Sequence, residues 1–498
     1  IALLALLLIS FCCVNYYLRI KYQYWKKRGI PHPKPTLFFG NITEAIFLRK
    51  PFSKVCLEIC KKFENIPFIG FYVFWTPTII VQDPELIKTV MIKNFSHFQD
   101  HFLEIEPEVD PILAMNPLCL KRDAWKRNRL ILTPQFTVAK LKSLIPVVQK
   151  VGDDLVAYIR KQVDSSNSIC FNAKDLSTRF TGENVFMTGY GLEGKSFEEK
   201  FPTTVQIGED ISSGNKLAQI KQTIGLFFPR LRRIFKSSFL GQPVPESFRY
   251  LILSAIQYRK ANNVVRKDFL DYVYNLKSSG NGASEKEILG HAYMLYLDGC
   301  ETTSILLTHM LYELAKNPLE QEKCRREVKS VLEKCNGNLT YESLINLEYV
   351  GAAIFESLRI HPSVSLMMRY CTEDCELQFT NQDNKQTNTK IEKGTIIAVP
   401  TEVIHNNPQY YPDPDVFNPN RFLTETSNVL YLGFGGGPRS CLGQNYTFFI
   451  TKIFMVAVLS KFSVRISKNS VPYQPELIHL LNVPKNGIRI DLTEIKDN

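Results

Sequence analysis

The stretch FGGGPRSCLG, Phe434 to Gly443, sets three consecutive glycines and a proline before a single cysteine, with Arg439 two residues ahead of the sulfur and Gly443 two behind. A cysteine that only fills a core needs neither so permissive a backbone nor a fixed cation beside it. The pattern predicts that something comes very close to the Cys441 sulfur.

The chain around this loop is large enough to enclose a site. Its 498 residues, 45% of them hydrophobic, suffice for a continuous core, and no repeat, low-complexity tract or long linker divides residues 41–498. A net charge of +11 suits an acidic partner or an anionic membrane surface. The basic residues are dispersed, with no run that would track a phosphate backbone, so no nucleic-acid partner is expected. The 12 cysteines form no CxxC pair. Cys56 with Cys60 and Cys371 with Cys375 stand four apart, which is no zinc signature. Most of these thiols read as reduced core residues of a cytosol-facing protein.

The N-terminus, IALLALLLISFCCVNYYL, turns sharply basic at Arg19, Lys21, Lys26, Lys27 and Arg28. As a helix the apolar run covers roughly 27 Å, close to the hydrocarbon thickness of a bilayer. A cleaved signal peptide is the rival reading, but the charges follow the apolar run and no small-x-small cleavage site appears. Residues 1–18 are therefore expected to be a transmembrane anchor. The positive-inside rule leaves the rest in the cytosol. The first residue is Ile1 and not Met, so further residues are expected before it. Pro31, Pro33 and Pro35 stiffen residues 29–41, giving a basic and proline-rich spacer over 19–40 and a catalytic unit over 41–498.

Apolar residues at three-and-four spacing predict helices over 119–130, 138–162, 285–316, 319–334 and 443–461; FIGFYVFW with PTIIVQ, and GTIIAVP, predict strands near 68–82 and 394–400. The fold class is mainly α with a minor β-sheet region. Ser284 with Glu287 forms a capping-box pattern before the longest helix and Pro318 stops it. Its middle, LDGCETTSILL, places glycine, two carboxylates and two threonines in an apolar strip. That is either a tolerated polar kink or a groove at Gly299 for a small ligand, with Thr302 and Glu301 offering a hydroxyl and a proton path. The ESLR stretch puts Glu356 and Arg359 on one helix face, and FNPNRF adds Arg421, together predicting a buried Glu-Arg-Arg cluster that locks the segment leading to Cys441. At 224–240, IGLFFPRLRRIFKSSFL mixes aromatics with Arg230, Arg232, Arg233 and Lys236 around Pro229. It predicts either a second membrane contact through Phe227, Phe228 and Phe235, or a buried helix pair with a basic outer side.

The spacing F-x-x-G-x-R-x-C-x-G through Phe434, Gly437, Arg439, Cys441 and Gly443 closely resembles the haem-binding loop of the cytochrome P450 family. DGCETT, ESLR, FNPNRF and WKRNR (Trp125 to Arg129) match the same family, so the resemblance covers essentially the whole chain. LTPQFT after WKRNR resembles the microsomal branch that oxidises drugs, toxins and steroids, of insect type. The resemblance implies the cytochrome P450 fold and haem b (iron protoporphyrin IX) with Cys441 as axial thiolate and metal ligand. Phe434 would pack beside the sulfur, Gly437 and Gly443 would let backbone approach the porphyrin, and Arg439, Arg369, Trp125 and Arg129 would hold the propionates. Where the family usually carries another basic residue, this chain has His101, within HFQDH.

The implied activity is that of a membrane-bound monooxygenase. It inserts one atom of O2 into a small lipophilic substrate such as a xenobiotic, steroid or hormone-like molecule, with Thr302 and Glu301 relaying protons. No G-x-G-x-x-G follows a strand, so electrons are expected from a separate NADPH-cytochrome P450 reductase, docked at Lys121, Arg122, Lys126 and Arg127, with cytochrome b5 as a further partner. The implied location is the endoplasmic reticulum membrane. Rival readings are a reductase-independent peroxide isomerase, which predicts loss of Glu301 and Thr302, and a non-catalytic haem sensor, which needs neither relay nor reductase face. Asp298 departs from the family's usual alanine or glycine. Three roles are open to it: an ester to a haem methyl group, as with the glutamate of fatty-acid hydroxylases; a carboxylate hydrogen-bonded to neighbours or water; or selection of substrates with a cationic or hydrogen-bond-donating group.

Overall fold

The N-terminal apolar run forms helix α1 (Ala2–Lys21), whose side chains are exposed apart from the half-buried Asn15 and the buried Leu18. In the computed structural model, which describes residues 2–163, 168–198, 216–236, 238–239, 244–278, 284–380, 386–424, 430–475 and 481–495, the stretch Ala2–Lys27 is long and apolar enough to cross a membrane. Trp25 follows, fully buried, with its indole N–H on the Phe71 carbonyl at 2.9 Å. The proline segment does not hang free. Gly70 N–H donates to the Pro31 carbonyl at 2.9 Å, and the Asn41 amide reaches the carbonyls of Pro33 and Lys34, so this stretch lies against the first strand.

That strand, β1 (Phe68–Val73), pairs antiparallel with β2 (Thr76–Val81), the two arising from FIGFYVFW and PTIIVQ. Then come the two-residue β3 (Asp100–His101), α2 (Arg122–Leu132), α3 (Val138–Gln162), β4 (Ser168–Asn172) and α4 (Ala173–Asn184). The short helices α5 (Lys216–Phe227) and α6 (Pro229–Phe235) precede α7 (Glu285–Tyr296), α8 (Thr302–Lys316) and α9 (Glu348–Ile360). Strands β5 (Leu366–Tyr370), β6 (Cys375–Thr380), β7 (Gln386–Ile391) and β8 (Ile396–Pro400) follow, then α10 (Gln444–Leu459), β9 (Phe462–Ile466) and β10 (Arg489–Glu494). The strands form sheets of order β1-β2-β8-β5-β3, β4-β10-β9 and β6-β7, in a mainly helical body. Only β2–β8 among these pairings is parallel.

The sequence TFFITKIFMVAVL is apolar nearly all round, which fits a helix with no solvent face, and α10 buries Phe449, Ile450, Ile453, Phe454 and Met455 in the main core. Against it lies α3, where Gly152 keeps the helices close: a Cβ there would stand 3.4 Å from the Ala457 Cβ. The predicted long helix is real, and its capping box is complete in both directions. It is not uniform, however. One π-helical turn, Leu297–Glu301, separates α7 from α8 and re-aims the residues on either side.

The segment 224–240 departs from a simple membrane contact. Phe227 packs on Phe52 and Phe102, with ring centroids 5.3 and 5.6 Å apart, and Phe228 on Phe74 at 4.7 Å. Arg232 is buried, donates to the Gly225 carbonyl and lies over the Phe239 ring, while Arg233 pairs with Glu108. The helix is interrupted at Phe228, just before Pro229. Among the described residues of this segment, Ile234 and Phe235 are the exposed large apolar ones.

Candidate active site

The Cys441 loop is shaped by its backbone. Cys441 N–H donates to the Phe434 carbonyl at 2.9 Å, and Gly435 N–H to the Leu432 carbonyl at 2.9 Å. Gly435 and Gly437 take φ of +74° and +67°, where glycine is favoured, and a Cβ on Gly437 would stand 2.0 Å from the Met91 carbonyl oxygen. Gly437 thus seats the loop on the turn at Thr89–Lys93, whereas Gly443, without positive φ, lies beside the Cys441 sulfur. Phe434 stacks on Phe448 at 5.3 Å. Cys441 keeps accessible surface although it lies deep in the body, where burial pushes its thiol up; the Gly443 N–H opposes that shift. The sulfur therefore faces an opening enclosed by protein.

Three guanidinium groups converge near the loop. Arg439 donates to the carbonyls of Gln99, Pro117 and Leu120, lies 4.0 Å over the Trp125 ring and approaches Asp100 at 3.8 Å. Arg129, from α2, donates to the Ser440 carbonyl at 2.9 Å. Arg369, from β5, is buried, and no carboxylate among the described residues lies within ion-pair distance of it or of Arg129. Burial draws Arg369 down to about 10, and burial plus the Arg369 charge draws Arg439 down to about 9. These are desolvated cations with little compensating negative charge.

His101 completes the cluster through sheet register, since β3 sets it opposite Arg369. Its Nδ1 stands 2.8 Å from an Arg369 Nη1 that can only donate, so Nδ1 accepts and Nε2 carries the proton. Burial and the two arginines hold His101 well below its ordinary pKa, hence neutral. Among the described residues the buried Nε2 has no hydrogen-bond partner. A buried donor without an acceptor beside uncompensated arginines calls for an anion.

Across the π turn, Thr302 Oγ1 donates to the Asp298 carbonyl at 2.5 Å. Glu301 pairs with Lys174 of α4 at 2.9 Å, a partner that no local motif announces. Among the described residues the one side-chain hydrogen-bond donor to Asp298 is Asn116, at 3.2 and 3.4 Å to its two oxygens. Burial raises it to about 7 from an ordinary 3.8, with Asn116 opposing. Because the folded value lies above the unfolded one, this group's contribution to stability is present at low pH and is lost as pH rises through 7. Asp298→Asn is therefore expected to raise the melting temperature at pH 8, by a free energy of at most about 4 kcal/mol. The gain should shrink toward pH 4, as thermal melts across pH would record.

The predicted Glu-Arg-Arg cluster is in place. Arg359 binds both oxygens of Glu356, at 2.7 and 2.9 Å, and Arg421 Nε reaches Glu356 at 3.0 Å, with Glu356 and Arg359 fully buried. Its link to the cysteine loop is His405, which sequence reasoning missed. Arg359 Nη1 donates to the His405 carbonyl, and His405 Nε2 accepts the Leu432 N–H at 2.9 Å. Burial brings His405 down to about 3, keeping that acceptor free of a proton. A separate cavity of about 380 Å³, lined by Lys150, Asp154, Tyr158 and Glu183, involves none of these residues.

Residues 30–490 match the family model of Cytochrome P450. The chain is 31% identical over 512 residues to cytochrome P450 6B1 of Papilio polyxenes, covering 98% of this chain and 99% of that one. It is 28% identical over 485 residues to cytochrome P450 9e2 of Blattella germanica, covering 91% and 90%. To cytochrome P450 6j1 of the same insect it is 27% identical over 493 residues, covering 97% and 96%.

Proposed function

The chain belongs to the cytochrome P450 family of monooxygenases, whose members hold haem through a cysteine thiolate, and from this premise we propose that it oxidises small lipophilic substrates at the endoplasmic reticulum membrane with electrons from NADPH-cytochrome P450 reductase. The observation that carries the reading is the Cys441 sulfur facing an enclosed opening beside Arg129, Arg369 and Arg439. Haem b fits these residues: a thiol for the iron, and anion-seeking groups for two propionates. Cys441, and not Cys371, is the ligand, because Cys371 is buried at a strand end with its thiol on the Glu373 carbonyl at 2.9 Å. When bound, haem supplies reductive activation of dioxygen and transfer of one oxygen atom.

The protein's part is binding, orientation and proton supply. Arg129, Arg369, Arg439, the Trp125 indole N–H and the His101 Nε2–H would hold the propionates. Thr302 presents a hydroxyl at the π turn, and Glu301, held by Lys174, delivers protons toward it. Helix α2 turns Trp125 inward and leaves Lys126 and Arg127 exposed, which suits an acidic reductase surface. Helix α1, with Ile234 and Phe235, supplies the apolar surface for the bilayer. The test is product formation from a panel of lipophilic compounds with reductase and NADPH supplied, followed by mass spectrometry. Products heavier by one oxygen that require reductase support the reading; turnover that proceeds with peroxide alone and no reductase contradicts it.

A further inference from the structure

The Asp298 carboxylate has acceptor capacity that the protein leaves largely unused. An ionised carboxylate offers about four lone-pair positions, and here a single Asn116 amide reaches both oxygens at 3.2 and 3.4 Å. Among the described residues no lysine, arginine or histidine lies within ion-pair distance of it. Burial with no cation to offset it is costly, so the ionised carboxylate favours a cationic partner from outside the chain.

Its surroundings mark where that partner sits. Asp298 occupies the π turn, with its carbonyl bound by Thr302 one turn on. The carboxylate is near enough to Cys441 to oppose ionisation of that thiol. One apolar cluster takes in Leu113, Val185, Cys119, Leu297, which precedes Asp298, and Leu442, the neighbour of Cys441. Asp298 retains part of its surface despite this enclosure. A carboxylate beside an apolar cluster that reaches the cysteine loop has the composition of a ligand site: greasy walls and one charged group that fixes orientation.

We infer that Asp298, oriented by Asn116, is the anchoring residue for a lipophilic cation, an amine protonated at neutral pH, bound in the chamber between the π turn and the Cys441 loop. This rests on the monooxygenase reading and narrows its substrate class to hydrophobic bases. The Asn116 amide positions the carboxylate and also ties it to the propionate side, because the next residue, Pro117, gives its carbonyl to Arg439 at 3.1 Å.

The test uses the full haem-loaded chain and two probes of one shape, benzyltrimethylammonium and its uncharged isostere neopentylbenzene. A quaternary nitrogen cannot ligate iron and keeps its charge at every pH. The carbon monoxide spectrum of the same preparation is recorded first, so that failure of the haem-thiolate reading is seen separately. Calorimetric titration at pH 8 should then give the cation at least about tenfold tighter binding than the isostere, a preference of the size measured for close charge pairs. Asp298→Asn should abolish the preference while leaving neopentylbenzene affinity within about twofold, and Asp298→Glu should retain it. Equal binding of the two probes by the wild type, no binding of the cation, or a preference that survives Asp298→Asn would each overturn the inference.

Discussion

Cys441→Ser is expected to leave a folded protein whose oxygen-insertion activity falls by more than about a hundredfold, since even an outer partner of a metal ligand costs ~10–100-fold when lost. The loop does not depend on the sulfur for its shape. The Cys441 N–H to Phe434 carbonyl bond, the positive φ of Gly435 and Gly437, and the seat of Gly437 on Met91 are all backbone features that serine keeps. What serine removes is a polarisable thiolate, which favours O–O cleavage in a haem-bound state. Circular dichroism and melting of the haem-free proteins should coincide, while haem content and product yield fall in the variant. Activity equal to wild type would remove Cys441 from the chemistry.

Glu356→Ala should be the most destabilising single change in the Glu-Arg-Arg cluster, at roughly 3–5 kcal/mol, because it strands two arginines whose carboxylate is gone. Arg359 is fully buried and would keep only carbonyl partners, at His405, Pro414 and Val416. The damage should reach the cysteine loop through His405 and the Leu432 N–H, since Gly435 in turn hangs on the Leu432 carbonyl. A lower denaturation midpoint accompanied by faster haem loss is the expected pair of results. Replacing both partners, with Glu356→Met and Arg359→Leu, should recover part of the stability, because the fully buried Arg359 charge is then gone and Arg421, which keeps its carbonyl partners, is the one arginine of the cluster left without a carboxylate. It should not restore haem retention, because the tether to His405 goes with Arg359.

How far the sequence could be read depended on the distance between interacting residues. The capping box Ser284–Glu287 and the i,i+3 pair Glu356–Arg359 are short-range patterns, and each appears as its spacing predicts. Lys174 with Glu301 and Asn116 with Asp298 are separated by 127 and 182 residues, and no periodicity links them. His101 meets Arg369 because a two-residue strand falls in register with β5, a pairing too short to carry a signal of its own. The π turn at Leu297–Glu301 was visible only as a polar interruption. Phe227 and Phe228 looked suited to a lipid surface by composition, but aromatic residues serve a core equally well, and Phe52, Phe74 and Phe102 were waiting for them.

The most direct measurement of the central claim is the absorption spectrum of the purified, haem-loaded protein reduced in the presence of carbon monoxide, taken for the wild type and for Cys441→Ser side by side. A thiolate on the iron gives a strongly red-shifted Soret band. The wild type should show it and Cys441→Ser should not. An unshifted band in the wild type, or the same red shift in both proteins, would contradict Cys441 as the ligand and with it the site built around that residue.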